Sequence, residues 1–275
     1  MVIESLINPF KAQRKPWIMM VVGFFYSTIA IFLSLWIFKD HADLVMVFFT
    51  VMACMPFFYF TVKNEEKNSG KYTSEKKLLK SHSTALFSLI YLFIGTVFAF
   101  SFWYVAFPVS LTNSLFAIQT KTILSINNQI AGSYVQPFSS FTRIFFNNVK
   151  VLTFCILFAF IYGLGAVFIL TWNASVIAVA IGNFIKSHLS TNSGAYFQAV
   201  SLGLTRYMIH GIPEIAAYFI GGLAGGVVSV AVIKHSIGTR RFEKTLLDSS
   251  SLIILSILIL LVAALIEVYI TPALF

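Results

Sequence analysis

The sequence predicts an all-α fold: a polytopic bundle of about seven transmembrane helices with one amphipathic segment on the membrane surface. Three observations predict it. Of the 275 residues, 58% are hydrophobic and only 11% are charged, whereas a soluble domain carries about 25% charged residues. The mean hydropathy is correspondingly high, at +0.87. The apolar residues come in runs of about 20, the length that a helix rising 1.5 Å per residue needs to cross a hydrocarbon core of roughly 30 Å. Finally, the formal charge of +9 sits between those runs. There it reads as loop charge that orients the spans and meets anionic headgroups. Membrane lipids are therefore expected partners and nucleic acid is not.

Taken in order, a basic start with Lys11, Arg14 and Lys15 leads into an apolar run from Trp17 to Phe38. That run is too long for a signal-peptide core and no small-x-small cleavage site follows it, so it reads as the first span, with Trp17 and Trp36 as interface aromatics. Residues 43–62 give the second span, in which Pro56 predicts a kink that bilayer helices tolerate. Residues 63–83 hold six Lys against Glu65, Glu66 and Glu75, a basic loop in which Ser74 is placed to cap one short helix. Residues 84–107 are the third span. In 109–140, Leu111, Leu115 and Ile118, then Ile123, Ile126 and Ile130, recur at helical spacing, which predicts amphipathic surface helices ended by Pro137. Residues 141–186 divide best into two spans at Gly163-Leu164-Gly165, since each half then matches the bilayer core. A polar loop at 187–205 precedes the sixth span at 206–233, and 250–272 is the seventh. Two units result: an N-terminal transmembrane hairpin with its basic loop at 1–83, and a five-helix membrane domain at 84–275.

The positive-inside rule orients the chain. With the N-terminus in the cytoplasm, the inner segments hold 13 of the 19 basic residues, which places the chain in the cell membrane with its C-terminus outside. Cys54 and Cys155 both fall within apolar runs, so no structural disulfide is expected.

Ionisable and strongly polar groups at bilayer depth are costly and are functional candidates by default. Those of this chain are Asn147, Asn148 and Lys150 in the fourth span, Asn173 in the fifth, His210 and Glu214 in the sixth, and Glu267 in the seventh. With this topology the groups of the fourth, sixth and seventh spans fall at one depth, in the outer third. At 100° per residue, His210, Glu214, Ala217, Gly221 and Gly225 form one stripe, and Glu267 shares a stripe with Ser256, Leu260 and Ala263-Ala264. Small residues beside polar ones mark a helix-packing face. Gly211, Gly221, Gly222, Gly225 and Gly226 are therefore read as packing glycines, and the polar groups as pointing into the bundle. A cluster that fixes helix register and a substrate site fit this pattern equally. A metal site fits less well. His210 and Glu214 supply two ligands where zinc takes three or four, and His188 lies in a loop. No cofactor or metal is expected, and no phosphate loop or Ser-His-Asp order is present.

The run HGIPEIAAYFIGGLAGG from His210 to Gly226, AALIEVYITP at 263–272, and the Asn-led stretch from Asn147 to Gly182 with its glycine-containing turn together resemble the stage II sporulation protein M family of membrane proteins. The blocks also follow the family's order, over spans three to seven. The chain departs from the pattern in its additional N-terminal hairpin and in Ala174, where a Gly often follows the Asn. The resemblance implies a membrane scaffold, since sporulating members act with cell-wall hydrolases during engulfment. It marks His210, Gly211, Glu214 and Glu267 without implying a chemistry. The expected function is thus a non-enzymatic scaffold that holds other membrane or cell-surface proteins, with a homo-oligomer among the assemblies expected. The alternatives are a transporter or channel for a small solute or ion lined by Glu214 and Glu267, and an intramembrane metalloenzyme using His210 and Glu214.

Overall fold

The computed structural model describes residues 15–68, 75–131, 137–162, 165–191, 196–234 and 238–274, and among these it contains helices and turns but no strand. Lys11, Arg14, part of the Lys-rich loop and the Gly163-Leu164 turn lie outside the described residues, as do the side chains of Ile126, Ile130 and His188. The helices are α1 (Ile18–Ile37), α2 (Ala42–Asn68), α3 (Glu75–Ala106), α4 (Val109–Leu115), α5 (Ala117–Ala131), α6 (Pro137–Tyr162), α7 (Gly165–Thr191), α8 (Tyr196–Lys234) and α9 (Arg240–Leu265). A π-helical turn at Ile266–Ile270 then leads into α10 (Thr271–Leu274). Among the described residues, seven helices are long and apolar enough to cross a membrane: α1, α2, α3, α6, α7, α8 and the run from α9 to α10. The chain is a multi-pass helical membrane protein.

Several helices run past the expected span limits. α2 continues through Pro56 to Asn68, and α3 starts at Glu75. The EKKLLK stretch is therefore the first turns of the third span rather than a separate short helix. Pro137 opens α6 instead of merely ending the segment before it, in keeping with the tolerance of a first helical turn for a residue without an N–H. The break between α6 and α7 falls at the predicted glycine turn.

Small residues set how closely the helices pack. The buried stripe of α1 includes Gly23, Ser27, Ala30 and Ser34. A Cβ added at Gly23 would run into the Leu92 carbonyl, and one at Gly95 into the Met20 backbone, so α1 and α3 cross with their backbones in contact. Trp103 Nε1 then donates to Thr28 Oγ1 at 3.1 Å across the same pair. α8 is the central helix, touching α2, α3, α6, α7 and α9. Of the most apolar stretch of its span 78% is buried, against 22% for the fourth and seventh spans, so α6 and α9 are peripheral.

Polar contacts at the helix ends fix relative sidedness. At one end, Lys186 Nζ reaches the Phe107 carbonyl at 3.4 Å and Thr112 Oγ1 at 3.2 Å, and lies 4.9 Å from the centre of the Tyr104 ring. Gln119 Nε2 donates to the Asp43 carbonyl at 3.0 Å. Leu115 and Phe116 are fully buried beside these groups, so the α4–α5 segment is seated on the bundle by its apolar side. At the other end, Arg241 at the start of α9 lies 3.8 Å from the buried Glu66 carboxylate near the end of α2. Four spans, α3, α6, α7 and α8, separate the end of α2 from the start of α9, and this even number returns the chain to the side on which Glu66 meets Arg241.

Candidate functional site: a polar cluster between α6, α8 and the π turn

Residues four apart on a helix lie one above another, and α8 places His210, Glu214 and Tyr218 at that spacing. The Tyr218 hydroxyl donates to Glu214 Oε1 at 2.7 Å. Asn148, buried on α6, faces the Glu214 carboxyl, yet its amide nitrogen completes no well-formed hydrogen bond. The π turn carries Glu267 to the same place, close enough to interact electrostatically with Glu214 and with Tyr218. One turn further on, Thr271 Oγ1 lies 3.4 Å from His210 Nδ1 and 3.2 Å from the Ile266 carbonyl. Each donor uses one hydrogen if His210 Nδ1–H donates to Thr271 and Thr271 donates to Ile266. A π turn inside an α-helix is rare and recurs at functional sites. Here it lies where Glu267 and Thr271 both meet α8.

Not every expected residue joins this group. Asn147 and Lys150 are exposed on the outer side of α6. The helical repeat that turns Asn148 inward turns these two outward, which corrects their reading as inward-pointing groups. Asn173 is half-buried and donates to the Ile169 carbonyl of its own helix at 2.9 Å. Tyr218 and Thr271 are members that the polar pattern did not single out. A tyrosine in an apolar run reads as core, although its position four residues after Glu214 was a usable signal.

The glycines separate in the same way. A Cβ at Gly221 would strike Leu152, one at Gly222 would come within 2.9 Å of Ala166, and one at Gly225 would come within 2.7 Å of the Ile156 carbonyl. Gly226 is buried as well. Gly211 differs from the packing role expected of it: nothing lies within 4 Å of an added Cβ, and it borders an apolar groove with Phe98, Ile181 and Ile215. Its residues come from α3, α7 and α8, and the side chains of the polar cluster are not among them.

The family model described as stage II sporulation protein M matches residues 44–272. The chain belongs to the stage II sporulation protein M family. The match takes in α2 and every later helix up to Pro272, and so contains the whole polar cluster of this family member. The chain is also 27% identical over 176 residues to a protein of Methanocaldococcus jannaschii described as uncharacterized, a region that is 60% of this chain and 94% of that protein. No solved structure gives a significant match.

Two carboxyls, a phenol, an amide and an imidazole drawn from three helical segments can do one of two things. They can lock those segments to one another, or they can hold a proton or small cation. Among the described residues no three His, Cys, Asp or Glu side chains come together as a metal site would need.

Proposed function

We propose that this member of the stage II sporulation protein M family is a non-enzymatic membrane scaffold, with its N-terminus in the cytoplasm and its C-terminus outside, that holds partner proteins at the membrane. The polar cluster is then a structural lock, and the observation that carries the reading is that its members are turned on one another. Tyr218 is spent on Glu214 within α8, and His210 on Thr271, a contact that ties α8 to the end of the last span. Buried polar groups that satisfy each other specify one helix arrangement. The lock fixes the central helix while α6 and α9 leave broad apolar faces uncovered, with Phe146, Phe154 and Leu157 on one and Ile254, Leu258 and Val262 on the other. In the bilayer such faces meet lipid, and they leave α6 and α9 open to packing by the helices of partners.

The second reading, passage of a proton or small cation, is favoured by one observation, the pairing of Glu214 with Glu267 inside the bundle. Reconstitution separates the two. Purified protein in proteoliposomes is expected to give no proton or cation flux above empty vesicles, while the protein solubilised from its native membrane carries a stoichiometric partner. A flux abolished by Glu214→Gln in a folded protein would overturn the scaffold.

A further inference from the structure

The peripheral helix α6 has two polar sides, and the cluster uses only one of them. Arg143, Asn147, Lys150, Phe154 and Leu157 fall within about 80° of one another at 100° per residue, and all five are exposed. Asn148, Leu152, Cys155 and Ala159 are buried on the opposite side. The depth of the exposed stripe follows from the packing of α6 on α8. Gly221 meets Leu152 and Ile156, and Gly225 meets Ile156 and Ala159, so the two helices run parallel and Lys150 stands near the level of Ala217. The described part of the sixth apolar span starts at Ile209, eight residues before Ala217, so Lys150 stands at least about 12 Å along that span at 1.5 Å per residue. The backbone of Lys150 and the Asn147 amide at that depth face hydrocarbon on an outward side, so the ammonium either snorkels toward the helix end or is covered by a neighbour. Groups of this kind pair with one another or line a protein contact.

We propose that this stripe of α6 docks one transmembrane helix of a different protein, a helix that carries an Asp or Glu at the level of Lys150. Charge selects this occupant. A second copy packed face to face by two-fold symmetry would set Lys150 against Lys150, a like-charge contact in a medium that screens nothing. A carboxylate at the same level neutralises the ammonium, Asn147 hydrogen-bonds beside it, and Phe154 and Leu157 give the deeper part an apolar seat. The proposal rests on the scaffold reading and names the face through which the scaffold acts.

The test is photocrosslinking in native membranes, with p-benzoylphenylalanine in place of Asn147 or Phe154, and in place of Ile254 or Leu258 on the exposed face of α9 as controls. The expected result is an adduct from the α6 positions to one membrane protein, mapped by mass spectrometry to a span with an Asp or Glu within one turn of the crosslink. Its yield falls at least about tenfold with Lys150→Glu, stays near wild type with Lys150→Arg, and recovers when the partner's acid is changed to Lys. Wild-type thermal stability of Lys150→Glu confirms that the fold is intact, and Lys150→Gln serves in its place if that variant unfolds. Adducts to phospholipid alone, adducts to a second copy, or a protein adduct indifferent to Lys150→Glu would each overturn the proposal. Protein adducts from the α9 positions alone would overturn this face and leave the scaffold standing. The absence of protein adducts from either face would overturn both.

Discussion

The glutamate at 214 is held by shape and by hydrogen bonding together, and these can be separated by substitution. If the cluster is a lock, Glu214→Gln keeps an acceptor for the Tyr218 hydroxyl and is expected to retain wild-type thermal stability in detergent. Glu214→Ala strands that hydroxyl beside Asn148 and is expected to cost about 1–3 kcal/mol, the usual penalty for a buried group left unpaired. Tyr218→Phe removes one bond and should cost about 0.5–2 kcal/mol, since polar contacts within membranes are worth modest amounts. Glycines give a second contrast at this scale. Gly225→Leu drives a side chain into the Ile156 backbone and should destabilise by about 1–3 kcal/mol or more, as overpacking does. Gly211→Ala meets open space and should leave the melting temperature unchanged, and a large loss there would show that the groove beside it is filled in the membrane. The spacing of His210 and Glu214 was legible in the sequence, because four residues make one helical turn. Which of Asn147 and Asn148 points inward was not, because adjacent residues differ by 100° and only the packing of α6 on α8 sets the zero of that angle.

Among the elements, the spans were legible and their ends were not. Hydropathy locates the segment that lies in hydrocarbon, but a helix continues into water as long as its backbone bonds are kept, which is why α2 and α3 extend into the Lys-rich stretch and α8 starts at Tyr196. The π turn at Ile266–Ile270 was equally hidden, since nothing in the residues IEVYI breaks an α-helical pattern. Contacts between helix ends fix which ends share a side of the membrane, and loop charge assigns that side. With the Lys-rich loop in the cytoplasm, a Lys71→Cys variant in intact cells should resist a membrane-impermeant maleimide. Asn113→Cys, on an exposed position of α4, should react with it. The native Cys54 and Cys155 are both buried and contribute little background. Labelling at position 71 with protection at 113 would invert the topology and leave the bundle as it is.

For the whole molecule, the arrangement divides labour between a fixed centre and open flanks. α8 is enclosed by its neighbours and bonded to the last span through the polar cluster, while α6 and α9 present uncovered apolar faces. The all-helical membrane class followed from composition alone, because a chain this apolar has too few polar groups to cover itself in water. Function was less legible, since a carboxylate pair within a bundle serves a lock and an ion path equally well, and sequence spacing carries no information on hydrogen-bond partners across helices. The central claim is that the cluster acts by holding helices rather than by ionic chemistry. The most direct measurement is recovery of the native membrane partner with Glu214→Gln, in protein whose melting temperature matches wild type. The account predicts recovery equal to wild type, with loss only in the destabilised Glu214→Ala. A Glu214→Gln protein that is fully folded yet carries no partner would contradict it.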